Sequence, residues 1–371
     1  MNNIKYSNIP QMSVQDVIKH LSSSYSTIIK NNIPIKSFPS VMLWGAPGVG
    51  KSQAIRQIAK EISENTGKKT NVVDVRLLLF NPIDLRGIPT ANEDKTLAVW
   101  LKPQIFQMNE SKNYVNILFL DEISAAPQSV QAAAYQITLD RIIGEHKLPD
   151  NCIVIAAGNR LNDKSVAYKM PRALANRLLH IEVESNFNAW KSWAVEKGIN
   201  DKVTGFLSFR QDFLNNANTA MDDLAFTTPR SWEMVSNILN NVSNDIKVVE
   251  PLIAGIIGNG VMHEFKSWCN LYSQLPKIED IFKGKNVEVP KSTSVLYALV
   301  NSMVSYAREH KDDIKAISNS IIFADKLPPD FAVVLFKDYM CINKDYRSTL
   351  LKIPEFNKWF MTKGRLLNGI I

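Results

Sequence analysis

Three short apolar runs punctuate the first half of the chain, and each ends in a glycine or an ionisable or amide residue. Val41-Met42-Leu43-Trp44 gives way to a glycine-rich stretch. Ile117-Leu118-Phe119-Leu120 stops at Asp121 and Glu122, and the run from Cys152 to Ala157 stops at Gly158 and Asn159. Continuous apolar runs of this length, bounded by turn residues, predict parallel strands buried on both faces. Apolar Ile55, Ile58, Ala59 and Ile62 recur at helical spacing between the first two runs, predicting a helix with one buried face. Strands alternating with helices predict an α/β core reaching about Val183. From Asn186 the pattern turns helical, through Trp190, Trp193, Ala194, Phe206 and Phe209 and the segment after Arg230. Upstream, a helix is expected around Val14 to Ile29, with Ser13 as its start signal and Asn31-Asn32 as its stop. Pro276, Pro290, Pro328 and Pro329 punctuate a final helical stretch.

Composition changes this picture little. The 371 residues allow two or three domains, and 45% hydrophobic with 21% charged content is that of an ordinary soluble protein. No apolar run approaches a membrane span, since Val248 to Ile257 is broken by Glu250 and Pro251. The first residues carry no apolar signal core. Cys152, Cys269 and Cys341 are far apart, so neither a disulfide framework nor a zinc site is expected, and a reducing, cytoplasmic setting fits. His20, His146, His180, His263 and His310 lack metal-ligand spacing, and no catalytic role is assigned to them. The net charge of +7 permits an acidic partner but is spread along the chain. Its densest stretch, Lys337 to Ile371, interleaves Tyr339, Tyr346, Phe356, Trp359 and Phe360 with basic residues. A solvated helical face with a buried aromatic side is favoured there over a nucleic-acid surface.

The chemistry lies in the residues at the end of each apolar run. Gly45-Ala46-Pro47-Gly48-Val49-Gly50-Lys51-Ser52 fits G-x-x-x-x-G-K-[ST] between a predicted strand and a predicted helix. That context predicts phosphate binding: glycines let backbone N–H groups close around phosphates, and the helix N-terminus adds its positive dipole end. Lys51 is expected to reach the β- and γ-phosphates and Ser52 to hold Mg²⁺, with the nucleotide-binding set running from Gly45 to Gln53. Asp121 would orient Mg²⁺, and Glu122, one residue on, would act as general base toward the attacking water. Asn159 ends its run as Glu122 does, where an amide can hold that water. For Asp121-Glu122 the competing reading is a strand running into an acidic helix cap, with Ser124 helping.

These motifs in this order resemble the AAA+ ATPases, and within them the MoxR family. The likeness rests on Asp74-Val-Arg76, Asn81-Pro-Ile-Asp84-Leu-Arg86-Gly87-Ile-Pro89, Asp121-Glu122-Ile-Ser124 and Leu139-Asp140-Arg141 through Leu148-Pro149. Ala156-Ala-Gly158-Asn159-Arg160 and Thr228-Pro229-Arg230-Ser231-Trp232-Glu233 complete it. It is densest from Val41 to Glu233 and continues loosely to the end of the chain. The resemblance implies an α/β P-loop NTPase core with a parallel sheet flanked by helices, an all-helical lid and a helical extension. The corresponding boundaries are 1–38 for an N-terminal lead and helix packing on the core and 39–185 for the nucleotide-binding domain. Residues 186–272 would be the lid and 273–371 the extension.

The resemblance also implies roles that the residues alone do not. Arg177 takes the place of an arginine finger acting on a neighbouring subunit, with Arg172 as the nearby alternative. The family usually places an aromatic after this arginine, and here Leu178 stands instead. Arg230 takes the sensor-2 position, contacting nucleotide in cis. Gly87–Pro103 and Arg141–Pro149 resemble two insertions that touch substrate in related rings, and a polar, exposed character is expected of them. The implied protein is an ATP- and Mg²⁺-dependent, chaperone-like remodelling ATPase. It would form a homo-oligomeric ring, a hexamer, act on a protein client and work with a partner bearing a von Willebrand factor A domain. A nucleic-acid-dependent motor is the alternative, and a nucleotide-gated scaffold that does not turn over is a third.

Overall fold

The computed structural model of the chain describes residues 8–160, 170, 175–216, 223–343 and 345–363. The chain divides into two compact units, one ending at Asn186 and the other beginning at Phe187.

The first unit is built on a six-stranded parallel sheet in the order β1-β10-β2-β9-β6-β3. The three apolar runs are its centre: β2 (Val41–Trp44), β9 (Cys152–Gly158) and β6 (Tyr114–Asp121). Around them lie β1 (Gln11–Ser13) and β10 (Leu179–Glu184) on one side and β3 (Lys69–Arg76) on the other. Side chains alternate across a strand, and the core divides accordingly. Val41 and Leu43 of β2, Ile117 and Phe119 of β6, and Ile153 and Ile155 of β9 pack with α1 (Val14–Lys30) and α2 (Lys51–Thr66). Met42, Trp44, Leu118, Leu120, Val154 and Ala156 face the other way, onto Val130, Ala134 and Ile137 of α4 (Gln128–Asp140). Both faces are therefore covered, which is why these strands read as continuous apolar runs. The α1 start is as expected: the Ser13 side chain accepts from Asp16 N–H. Strand β1 was not legible in the sequence; three residues at a sheet edge leave too little pattern.

Both insertions form antiparallel hairpins. After the short helix α3 (Pro82–Arg86) come β4 (Ile88–Ala91) and β5 (Ala98–Leu101), and after α4 come β7 (Ile142–Ile143) and β8 (His146–Lys147). The Nε2 of His146 bonds the carbonyl of Trp100 at 2.8 Å, tying one hairpin to the other. The expected polar character is corrected here for the first hairpin. Ile88, Leu97 and Leu101 are each more than half exposed, as are Leu79 and Ile83 just before them. A two-stranded ribbon has no second layer within its own pattern to cover either face.

The second unit is helical. Trp190 of α5 (Phe187–Lys197), Phe206 of α6 (Asp201–Phe209), Trp232 of α7 (Pro229–Asn241), Val249 of α8 (Ile246–Ile257) and Phe265 of α9 (Asn259–Cys269) share one core. A second core gathers the rest: α10 (Ile278–Phe282), α11 (Thr293–Glu309), α12 (Ile314–Ala324), α13 (Pro329–Met340), α14 (Tyr346–Leu351) and α15 (Pro354–Lys363). Helix α11 serves both cores, giving Ala298 to the first and Leu299 to the second. Tyr339, Tyr346, Phe356 and Trp359 are buried in the second core, so these tail aromatics hold helices together and present no stacking surface.

Among the described residues no helix is long and apolar enough to cross a membrane. Burial pushes the Cys152 thiol up to about 11 and the Cys269 thiol up to about 12, while Cys341 is half-buried. Since the thiolate is the reactive form, iodoacetamide at neutral pH should label Cys341 first. The other two should react only after denaturation, and mass spectrometry of native protein labelled preferentially at Cys152 would contradict this packing.

Candidate functional site

Parallel strands deliver their chemistry at their carboxyl ends, and the order β2-β9-β6 sets three such ends side by side. The glycine-rich loop leaves β2. Ala46 and Val49 are buried in the core beneath it, whereas Pro47 is exposed. Gly48 and Gly50 have φ of 78° and 101°, a region open to glycine at little cost. Helix α2 then begins at Lys51 with Gly50 as N-cap and no side-chain cap bond. A glycine in that place sets no capping side chain over the first turn, the arrangement that suits a bound phosphate.

Lys51 is nearly buried. Its Nζ donates to the carbonyls of Gly45 at 2.5 Å and Ala46 at 3.1 Å, and to Asn159 Oδ1 at 3.2 Å. The Ser52 hydroxyl donates to Asp121 Oδ2 at 2.8 Å. One hydroxyl and one carboxylate form the hard-oxygen donor set that suits Mg²⁺, and an ammonium over a glycine-rich loop suits a polyphosphate. The residues present therefore fit a metal-bound nucleoside triphosphate. Glu122 follows with φ of 59°, a left-handed backbone unusual for a non-glycine residue, and its N–H donates to Asp121 Oδ1 at 2.9 Å. Such conformations cost of order 1–3 kcal/mol and gather at functional sites.

Ser124 has a role that the sequence did not disclose. Helix α4 begins at Gln128 with Pro127 as its N-cap, so Ser124 does not cap it. Its hydroxyl accepts instead from Asn159 N–H at 2.8 Å, and Ile123 N–H donates to the Ala157 carbonyl at 2.9 Å. The end of β6 and the end of β9 are thereby fastened together. On the neighbouring strand Arg76 lies opposite Asp121 in register. Burial first, and then the charge of Asp121, hold the Asp74 carboxyl above its usual range.

Lys51, Ser52, Asp121, Glu122 and Asn159 are thus brought to one edge of the sheet. Gln53 sits exposed in the first turn of α2. Residues 41–184 match the model of the "ATPase family associated with various cellular activities (AAA)". The first unit carries an AAA ATPase domain. The match runs from the first residue of β2 to the last of β10, so it covers the three strand ends described above. No curated protein matches the chain at a significant level. Among solved structures, a Thermotoga maritima RuvB mutant is similar at 16% identity and a TM-score of 0.35, covering 79% of this chain and 83% of that one. PCH-2 from C. elegans aligns at 13% identity, TM-score 0.31, over 71% and 68%. Hsp104 bound to ATPγS and casein aligns at 17% identity, TM-score 0.39, over 64% and 45%. Likenesses of this strength leave function to the site itself. The AAA domain makes the protein a nucleotide-binding ATPase.

Arg177 stands apart from this cluster, since Leu179 two residues on pairs with Val41 at the start of β2. Arg177 is exposed on a turn that precedes β10, and Arg172 lies outside the described residues. Leu178, in place of an aromatic, is buried, and His180 Nε2 bonds the Ala175 carbonyl at 2.7 Å. The turn is held from its inner side while Arg177 points outward. Arg230 is the second residue of α7, after Thr228, whose side chain accepts from Ser231 N–H in a reciprocal cap. It too is exposed.

Proposed function

We propose that the protein is a remodelling ATPase of MoxR type. It works as a homo-oligomeric ring, a hexamer by analogy with that family, on a protein client and with a partner bearing a von Willebrand factor A domain. One observation carries the catalytic part of this reading: Lys51 meets Asn159, and Ser52 meets Asp121, at adjacent strand ends. The loop from Gly45 to Gln53 binds the phosphates, and Lys51 offsets charge on the transferred group. Ser52 and Asp121 would hold Mg²⁺, which when bound supplies charge neutralisation at the phosphate oxygens. Glu122 takes the proton of the attacking water, and the Asn159 amide orients that water. Arg177 reaches the phosphates of a neighbouring subunit, and Arg230 contacts nucleotide within its own. The lid spans 186–272 and the extension 273–371.

The client is sought with Glu122→Gln, which should bind ATP and hold its partner. The variant is pulled from source-cell lysate with and without ATP, half the samples being nuclease-treated. A protein captured only with ATP and retained after nuclease treatment supports remodelling. Nucleic acid, with proteins lost on nuclease treatment, overturns it in favour of a nucleic-acid motor.

A further inference from the structure

Glu182 of β10 is fully buried, and its carboxylate forms an ion pair with the guanidinium of Arg160. Its second oxygen accepts from Gln11 Nε2 at 3.1 Å, so β1, β10 and the segment after β9 contribute to one cluster. The register shows what the pair spans. Glu182 lies opposite Trp44 of β2, and Trp44 lies opposite Gly158 of β9. Gly158 is followed by Asn159 and Arg160, and Trp44 is followed by Gly45, where the phosphate loop begins. The ion pair therefore runs from just beyond β9 to the level of Trp44 on β10, across the exit of the strand between them. Gly45 is fitted closely there: its N–H donates to the Gly158 carbonyl at 3.3 Å, and a Cβ on it would meet the Val183 carbonyl at 2.7 Å.

A carboxylate with 1% of its side chain exposed is strongly disfavoured in the charged form unless a cation stays with it. Arg160 is thus held in place by the requirements of Glu182, and Asn159 is the residue directly before it. From the other side Asn159 is fixed by its N–H bond to Ser124. We propose that the Arg160–Glu182 pair is a positioning element of the hydrolytic step. It holds the Asn159 amide beside Lys51 while leaving nucleotide affinity to the loop itself. This rests on the water-orienting role given to Asn159 above.

The test is a double-mutant cycle on the full-length protein, reading phosphate release and the affinity for a fluorescent ATP analogue. Glu182→Gln keeps the shape and removes the charge. It should lower kcat about 10-fold or more while the analogue binds within threefold of wild type. Combined with Asn159→Ala it should be no slower than Asn159→Ala alone, because a group acting through Asn159 has nothing left to position. Arg160→Lys, at the more exposed end of the pair, reads the same contrast should Glu182→Gln fail to fold. It should lose less activity than Arg160→Ala, since the cation remains and only the planar fork is lost. Losses that multiply in the double mutant, a parallel fall in nucleotide affinity, or an unchanged kcat would each overturn the proposal. An Asn159→Ala variant with wild-type kcat overturns the assignment of Asn159 itself, whereas an inactive Asn159→Ala beside a fully active Glu182→Gln sinks the positioning role alone.

Discussion

Glu122→Gln is expected to bind ATP as tightly as the wild type and to release phosphate about 10² to 10⁴ times more slowly, the usual contribution of a positioned general base. The geometry separates the two effects. In the proposed site nucleotide binding draws on Lys51, the loop N–H groups and the Ser52–Asp121 pair, none of which is assigned to the Glu122 side chain. The backbone N–H of Glu122 donates to Asp121 Oδ1 and its carbonyl accepts from Ala125 N–H, and glutamine retains both. The left-handed backbone at this residue is also no harder for glutamine than for glutamate, so the substitution removes the base and little else. Equilibrium binding of a labelled ATP with a single-turnover phosphate assay reads both quantities. A variant that hydrolyses ATP at the wild-type rate would return Asp121-Glu122 to an ordinary strand end. One that no longer binds would move Glu122 from the chemical step to the nucleotide pocket.

How much of this could be read from the chain depends on how each residue is supported. Strands β2, β6 and β9 are buried on both faces, so each is written as an unbroken apolar run, and the polar residue that ends it marks the edge of the sheet. That made Lys51, Asp121, Glu122 and Asn159 visible in order. Strand β3 lies at the sheet margin with half-exposed residues along most of its length, and β1 is three residues long; neither writes so clear a pattern. Contacts far apart in sequence were invisible altogether. Ser124 and Asn159 are separated by 35 positions and Gln11 and Glu182 by 171, and only the strand order brings them together. The exposed leucines and isoleucines of the first hairpin misled for a different reason. A polar character was expected of an exposed insertion, but a lone ribbon has no second layer to cover its apolar residues, so they stay at the surface.

Arg177→Ala is expected to lower kcat about 10³-fold or more, as removal of an arginine finger does in related phosphoryl transfer, with the affinity for ATP nearly unchanged. The placement argues that this arginine cannot serve its own subunit. Leu179, two residues on, lies opposite Val41 at the amino end of β2, whereas the phosphate loop leaves the carboxyl end of that strand. Strand rise alone puts about 10 Å between those ends, so Arg177 and Lys51 sit on opposite edges of the same sheet. Among the described residues no ion pair claims the Arg177 guanidinium, and the buried Leu178 and the His180–Ala175 bond fix the turn that carries it. A fixed, exposed and unpaired cation on the edge remote from its own phosphates suits a neighbour's site. A trans role makes two measurements decisive. Specific activity should rise with protein concentration as subunits associate. Mixing Arg177→Ala with Lys51→Ala, each inactive alone, should restore part of the activity, because an intact loop then meets an intact arginine at some interfaces. Concentration-independent turnover, or mixtures as inactive as their components, would place the group that completes the site within a single subunit and remove the case for a ring.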